Sequence, residues 1–192
     1  MLKTQTIELT TARDAGRVIQ LTELSAFEAD RAARAALLAI DEEPDGGVIA
    51  LAFEHVRTVR AMGEMGLTLL SAFVRGDVLA QGAAPRPFDI RRDIRDWRNV
   101  QRLQDAALLL HVGFMLSRKP LDVPVTFQAQ SLLKGGDDLR ATFCSPVLAA
   151  ALQSGHCTYR ELETVLSTED AFNIVELVNI NAIRSWQDTQ TE

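Results

Sequence analysis

The stretch from Asp93 to Leu116 limits most strongly what this chain can fold into: it opens with arginines and aspartates and ends in a dense apolar run. Val100, Leu103, Ala107, Leu110 and Phe114 recur at spacings of three and four, so they fall along one face of a helix. Leu108, Leu109 and Val112 widen that stripe until the last two turns are apolar nearly all round. In water such a helix belongs at the centre of a bundle or beneath a partner. The spacing therefore predicts a mainly α fold, a helical bundle organised around residues 93–116.

The flanking sequence supplies the rest of that bundle. Thr4 to Leu9 and Arg17 to Thr22 are short and roughly alternating, with turn residues from Thr11 to Gly16 between them. They read as a small N-terminal β-hairpin, which needs something to pack on. Ser25 and Glu28 have capping-box spacing at the head of a helix that runs to about Ile40, with Phe27, Ala35 and Leu38 on its apolar side. The acidic, glycine-containing run from Asp41 to Gly47 ends it. A second helix is expected over about 48–62, burying Ile49, Ala52, Phe53, Val56 and Val59. A third is expected from about Leu67 to Val74, with an extension to Leu79 left open. Gly82 to Pro87 contains two prolines and reads as a connector.

Beyond the central helix, Pro120, Pro124 and the pair Gly135 and Gly136 mark a linker. Ser145 before Pro146, Thr158 with Glu161, and Ser167 with Asp170 are helix-start patterns. They predict a C-terminal helical module whose last helix buries Ala171, Ile174, Val175, Leu177, Val178 and Ile180. The expected organisation is a hairpin plus helical domain over 1–117, a linker over 118–144, and an acidic module over 145–192. From Asp137 onward nine acids face three bases, a difference equal to the whole net charge of −6. An acidic protein is a poor nucleic-acid binder, because phosphate contacts need an excess of Lys and Arg. No apolar run reaches the length of a membrane span, and the N-terminal residues lack the apolar core of a signal peptide. The expected compartment is the cytoplasm, where Cys144 and Cys157 are read as free thiols rather than metal ligands.

No catalytic constellation stands out. There is no Gly-x-Ser-x-Gly, Gly-x-Gly-x-x-Gly or His-Glu-x-x-His pattern, and the three histidines are far apart in sequence. His111, between Leu110 and Val112, is read as a core or interface histidine bonded to backbone. Neither an enzymatic activity nor a cofactor is expected. Between Arg86 and Arg102 six arginines meet three aspartates. They form either a helix start laced by internal pairs or a surface for an acidic partner. Trp97 adds weight to the second reading, since Trp and Arg are enriched at interface hot spots.

The ending Leu110-His111-Val112-Gly113-Phe114, with its Pro-containing charged lead-in from Arg86, resembles the tail assembly chaperones of long-tailed bacteriophages. The hairpin leading into Leu21-Thr22-Glu23-Leu24 is similar to the opening of that family. The run from Ser154 through Tyr159, Glu161 and Leu162 to Ser167 and Asp170 is similar to the C-terminal extension of some members. The resemblance implies binding without catalysis: keeping the tape measure protein soluble and bringing tail tube subunits to it, in the bacterial cytoplasm, with absence from the finished virion. It also implies that the break between 117 and 145 could be a frameshift junction. Residues expected to meet partners are Arg95, Trp97, Arg98, Leu110 and Phe114 on the central helix, and Glu161, Glu163 and Glu169 in the acidic module. Self-association stays open. The competing reading is a small helical adaptor or regulatory protein that binds a single partner.

Overall fold

The computed structural model describes residues 1–42, 44–80, 82–127 and 141–190. The fold is mainly α, with a small antiparallel sheet at the N-terminal end. Strands β1 (Thr4–Glu8) and β2 (Val18–Thr22) form the expected hairpin, with Ile7 opposite Ile19. Alternation turns Ile7, Ile19 and Leu21 into the core. The hairpin gains two further strands that sequence periodicity did not indicate. β3 (Gly76–Leu79) pairs with β2, and β4 (Arg86–Pro87) pairs with β3 at the sheet edge.

Those strands correct two expectations. The third helix does not extend to Leu79: α3 (Glu64–Leu70) passes into a 3-10 turn at Ser71–Phe73, and the chain then enters the sheet. The 82–87 segment is not wholly a connector either. Pro87 has no N–H to donate, and a two-residue edge strand is a place where a sheet tolerates that. Gly76 makes the approach to β2 feasible, because a Cβ there would lie 2.0 Å from the Gln20 carbonyl oxygen.

Helix α1 (Ala26–Ala39) begins with the expected capping box: Ser25 Oγ accepts from the Glu28 amide, and the Glu28 carboxylate accepts from the Ser25 amide. Its buried face carries Phe27, Ala29, Ala33, Ala36 and Leu37. Ala35 and Leu38 lie outside it, exposed. Helix α2 (Gly47–Met62) packs against α1 through Gly47, Val48, Leu51 and Thr58. That face is small and partly polar, and a Cβ on Gly47 would lie 2.3 Å from Asp30 Oδ1. Of the stripe expected to be buried, Ile49 and Val59 pack partly buried against the main core and Ala52 is half-buried, but Phe53 is 81% exposed and Val56 58%.

The central stretch is three helices rather than one. α4 (Ile90–Asp93) ends at Ile94, which is extended; α5 (Trp97–Val112) starts where Asp96 accepts from the Arg98 amide; α6 (Phe114–Ser117) follows Gly113. Leu103, Ala107 and Leu108 of α5 enter the main core, joining the sheet, α1, α2 and α3.

The C-terminal part comprises α7 (Pro146–Gln153), α8 (Tyr159–Thr164) and α9 (Thr168–Gln190). Cys144, Leu148, Ala151, Leu162 and Ala171 build a second core around Ala26 and Phe27 of α1. The Ala26 amide donates to the Leu166 carbonyl at 2.8 Å, and the Ser145 amide donates to the Asp30 carboxylate. The described residues 145–190 thus share a core with the first half of the chain. On α9, Ala171 and Ile183 are buried, whereas Leu177 is exposed, contrary to expectation. Of the expected linker, residues 125–127 are helical, the Phe127 ring meets Trp186 edge-on, and 128–140 lie outside the described residues. No helix among the described residues is long and apolar enough to cross a membrane.

Candidate partner-binding groove

Both ends of α5 are pinned by buried polar groups. At its start the Asp14 carboxylate, fully buried, accepts from the Arg95 and Asp96 amides and from Asn99 Nδ2. Burial pushes the Asp14 carboxyl upward, but those three donors outweigh it and hold the group below its ordinary range. Near its end His111, also fully buried, accepts the Leu24 amide at Nε2 (2.9 Å). Nδ1–H donates to the Ala107 carbonyl at 2.6 Å, which assigns the tautomer. Burial disfavours the imidazolium and lowers the His111 pKa to about 4. The Phe73 ring sits edge-on to the imidazole.

A helix fixed in this way presents a stable wall. Opposite it stands the outward stripe of α2, and between the two lies an open apolar groove of about 250 Å³. Ile49, Ala52 and Phe53 form one side; Leu108, Leu109, Val112, Met115 and Leu116 form the other. Gly113 lets α6 follow α5 closely, since a Cβ there would lie 2.6 Å from the Leu109 carbonyl oxygen. Leu116 is 84% exposed and Leu109 52%, so with Phe53 they make a contiguous apolar opening rather than scattered surface residues. One polar pair marks the rim. His55 Nε2 lies 2.7 Å from Asp105 Oδ1, without the alignment of a hydrogen bond.

The residues singled out in sequence do not gather at this groove. Leu110 is half-buried against the main core. Phe114 packs 5.5 Å from the Phe172 ring, with Lys3 and Arg118 over its face, at the seam between α6 and α9. Trp97 is 65% exposed on the first turn of α5, and the Arg95 side chain is exposed beside it. Arg98 is paired with Asp96 at 2.8 Å.

The arginine-rich segment divides between its two readings. Arg86 and Arg92 bind the buried Asp93 carboxylate, and the Arg86 contact above all holds that group far below the usual range. Arg91, Arg95 and Arg102 have no acidic partner among the described residues. The three glutamates are engaged within the chain. Glu161 completes the capping box of α8, Glu163 makes two hydrogen bonds of 2.7 and 2.8 Å to Arg31, and Glu169 pairs with Lys3.

Comparison with protein-family models, curated proteins and solved structures finds no match to this chain. The groove is therefore described by its own chemistry. Its walls are apolar, its polar rim is one His–Asp pair, and among the described residues no group of three His, Cys, Asp or Glu side chains could hold a metal. Cys144 and Cys157 are free and buried, and burial pushes both thiols above their ordinary range. What the groove offers is dehydration of an apolar surface. Sequence reading missed Phe53 as a surface residue, whereas on the 97–116 stretch the surplus of apolar positions over one buried face had already pointed to a partner.

Proposed function

We propose that this chain is a protein-binding factor without catalysis, acting as a tail assembly chaperone of the long-tailed phage type. The observation that carries the reading is the uncovered groove between α2 and α5–α6, where Phe53, Leu109 and Leu116 stand in water. A client helix laid into it would bury those side chains and its own apolar stripe together, which is the driving force for holding an aggregation-prone protein in solution. The tape measure protein is the client the resemblance implies, with tail tube subunits as a second partner. The free ends of the arginine segment, at Arg91, Arg95 and Trp97, offer a separate surface for that second contact. The acidic module contributes less to docking than its charge suggests, because Glu161, Glu163 and Glu169 are already engaged.

The test is co-expression with the product of the longest neighbouring gene, followed by affinity capture and light scattering. The chaperone reading expects the long protein to become soluble and to travel with several copies of this chain. An insoluble, unbound long protein beside a lone monomer would overturn it. Binding at one fixed site on a different partner would favour the adaptor.

A further inference from the structure

The groove has a polarity along its length that the apolar walls alone do not reveal. His55 of α2 meets Asp105 of α5, while the remaining α2 wall residues precede His55 and the remaining α5–α6 wall residues follow Asp105. The two helices therefore run antiparallel along the groove. Beyond Ile49 and Phe53, the outward stripe of α2 continues through Val56 to Arg60, at spacings of four, three and four. On α5, the stripe Leu116, Val112, Leu109, Asp105 continues to Arg102 at the same end. Arg60 and Arg102 are both exposed, and neither has a partner among the described residues. The groove lining is apolar up to the His55–Asp105 pair, and helical spacing places Arg60 and Arg102 just beyond that end.

We infer that the groove seats a single amphipathic helix of a partner protein, whose apolar stripe covers Phe53, Leu109 and Leu116 and whose carboxylates lie over Arg60 and Arg102. The inference rests on the protein-binding reading and specifies the chemistry of the bound segment. From Ile49 to Arg60 the wall rises about 16 Å at 1.5 Å per residue, so the seat takes about three helical turns. The bound segment then has apolar residues at positions i, i+4 and i+7, followed by Asp or Glu about one turn further on. Selectivity comes from the charged end: a helix with lysines there meets like charge.

The test uses the full chain and three fluorescein-labelled sixteen-residue peptides. One has a Leu stripe ending in Glu-Asp-Glu, one has the same stripe ending in Lys-Gln-Lys, and one has the acidic composition in shuffled order. Fluorescence anisotropy should show the acidic peptide binding about tenfold more tightly than the lysine one at low salt, with the gap closing as salt rises. Arg60→Glu and Arg102→Glu should each weaken the acidic peptide by about two- to fivefold or more and leave folding intact, since both side chains are exposed. Phe53→Asp should abolish binding of both striped peptides.

Equal binding of acidic and lysine peptides would overturn the assigned polarity. Binding of the shuffled peptide, or binding indifferent to Phe53→Asp, would overturn the groove as the seat. A dimer that Phe53→Asp converts to monomers in light scattering would make the occupant a second copy and overturn the inference. The peptide result is separable from the chaperone reading: selective peptide binding beside an insoluble long protein leaves the groove standing and removes the proposed client.

Discussion

Replacing His111 by Gln gives a sharp test of how the central helix is held. In the fold the imidazole is neutral, with a pKa of about 4, whereas in the unfolded chain it titrates near 6.5. Between those values the unfolded chain binds a proton that the folded chain refuses. Stability linked to this group is therefore complete above 6.5, falls as pH drops toward 4, and levels off below that. The full difference corresponds to about 3 kcal/mol, of which about 2 kcal/mol is lost between pH 7 and pH 5.

A glutamine at 111 can still offer an acceptor to the Leu24 amide but cannot take up the proton. It gives up the Ala107 bond and the edge contact with Phe73, so at pH 8 the variant should be less stable by about 1–2 kcal/mol. Urea unfolding followed by far-UV circular dichroism at pH 8, 7, 6 and 5 measures both effects. Glu23 and Asp30 are buried carboxyls held above their ordinary range, and their protonation gives the opposite trend with pH. They are present in both proteins, so the difference between the two curves isolates His111. If His111→Gln loses stability as steeply as the native chain between pH 7 and pH 5, the buried imidazole is not the source.

Three further outcomes follow from the fold. Gly76→Ala should lower the unfolding free energy by about 2 kcal/mol or more, seen as a lower urea midpoint, because the new methyl group meets the Gln20 carbonyl of β2; an unchanged midpoint would mean β3 is not paired there. Asp14→Ala leaves the Arg95 and Asp96 amides and Asn99 without their acceptor and should cost about 3 kcal/mol, measured by the same unfolding curve. Glu163→Gln loosens a partly exposed pair with Arg31 and should cost no more than about 1 kcal/mol in double-mutant cycles with Arg31→Ala.

The elements legible in the sequence were those fixed by local chemistry. The capping boxes at Ser25 and Thr158 involve groups three residues apart, so the pattern and the hydrogen bonds coincide. The first hairpin was visible for the same reason, through alternation around a turn. β3 and β4 were not, because Gly76 through Leu79 and Arg86 with Pro87 become strands only when β2 is beside them. α2 shows the limit of hydrophobic periodicity most clearly. Its buried face is Gly47, Val48, Leu51 and Thr58, chosen by how closely α1 can approach, while Phe53 and Val56 of the more apolar stripe face out. The α2 wall of the groove was hidden by the same error, since Phe53 was assigned to the core. In the acidic module the excess of charge did not reveal pairing: Glu161, Glu163 and Glu169 are held by Thr158, Arg31 and Lys3, partners that for the latter two lie outside the charge count.

The second core has a consequence for chains of different length. Ala26 and Phe27 lie in the first turn of α1, but the atoms that cover them come from Cys144, Leu148, Leu162 and Ala171, more than a hundred residues later. The amide of Ala26 is likewise held by Leu166. A chain halted near residue 117 would lose the cover over this patch, and with it the Phe172 ring that packs on Phe114 of α6. Residues 141–190 thus work as a built-in cover: without them the first turn of α1 would present Ala26 and Phe27 to water.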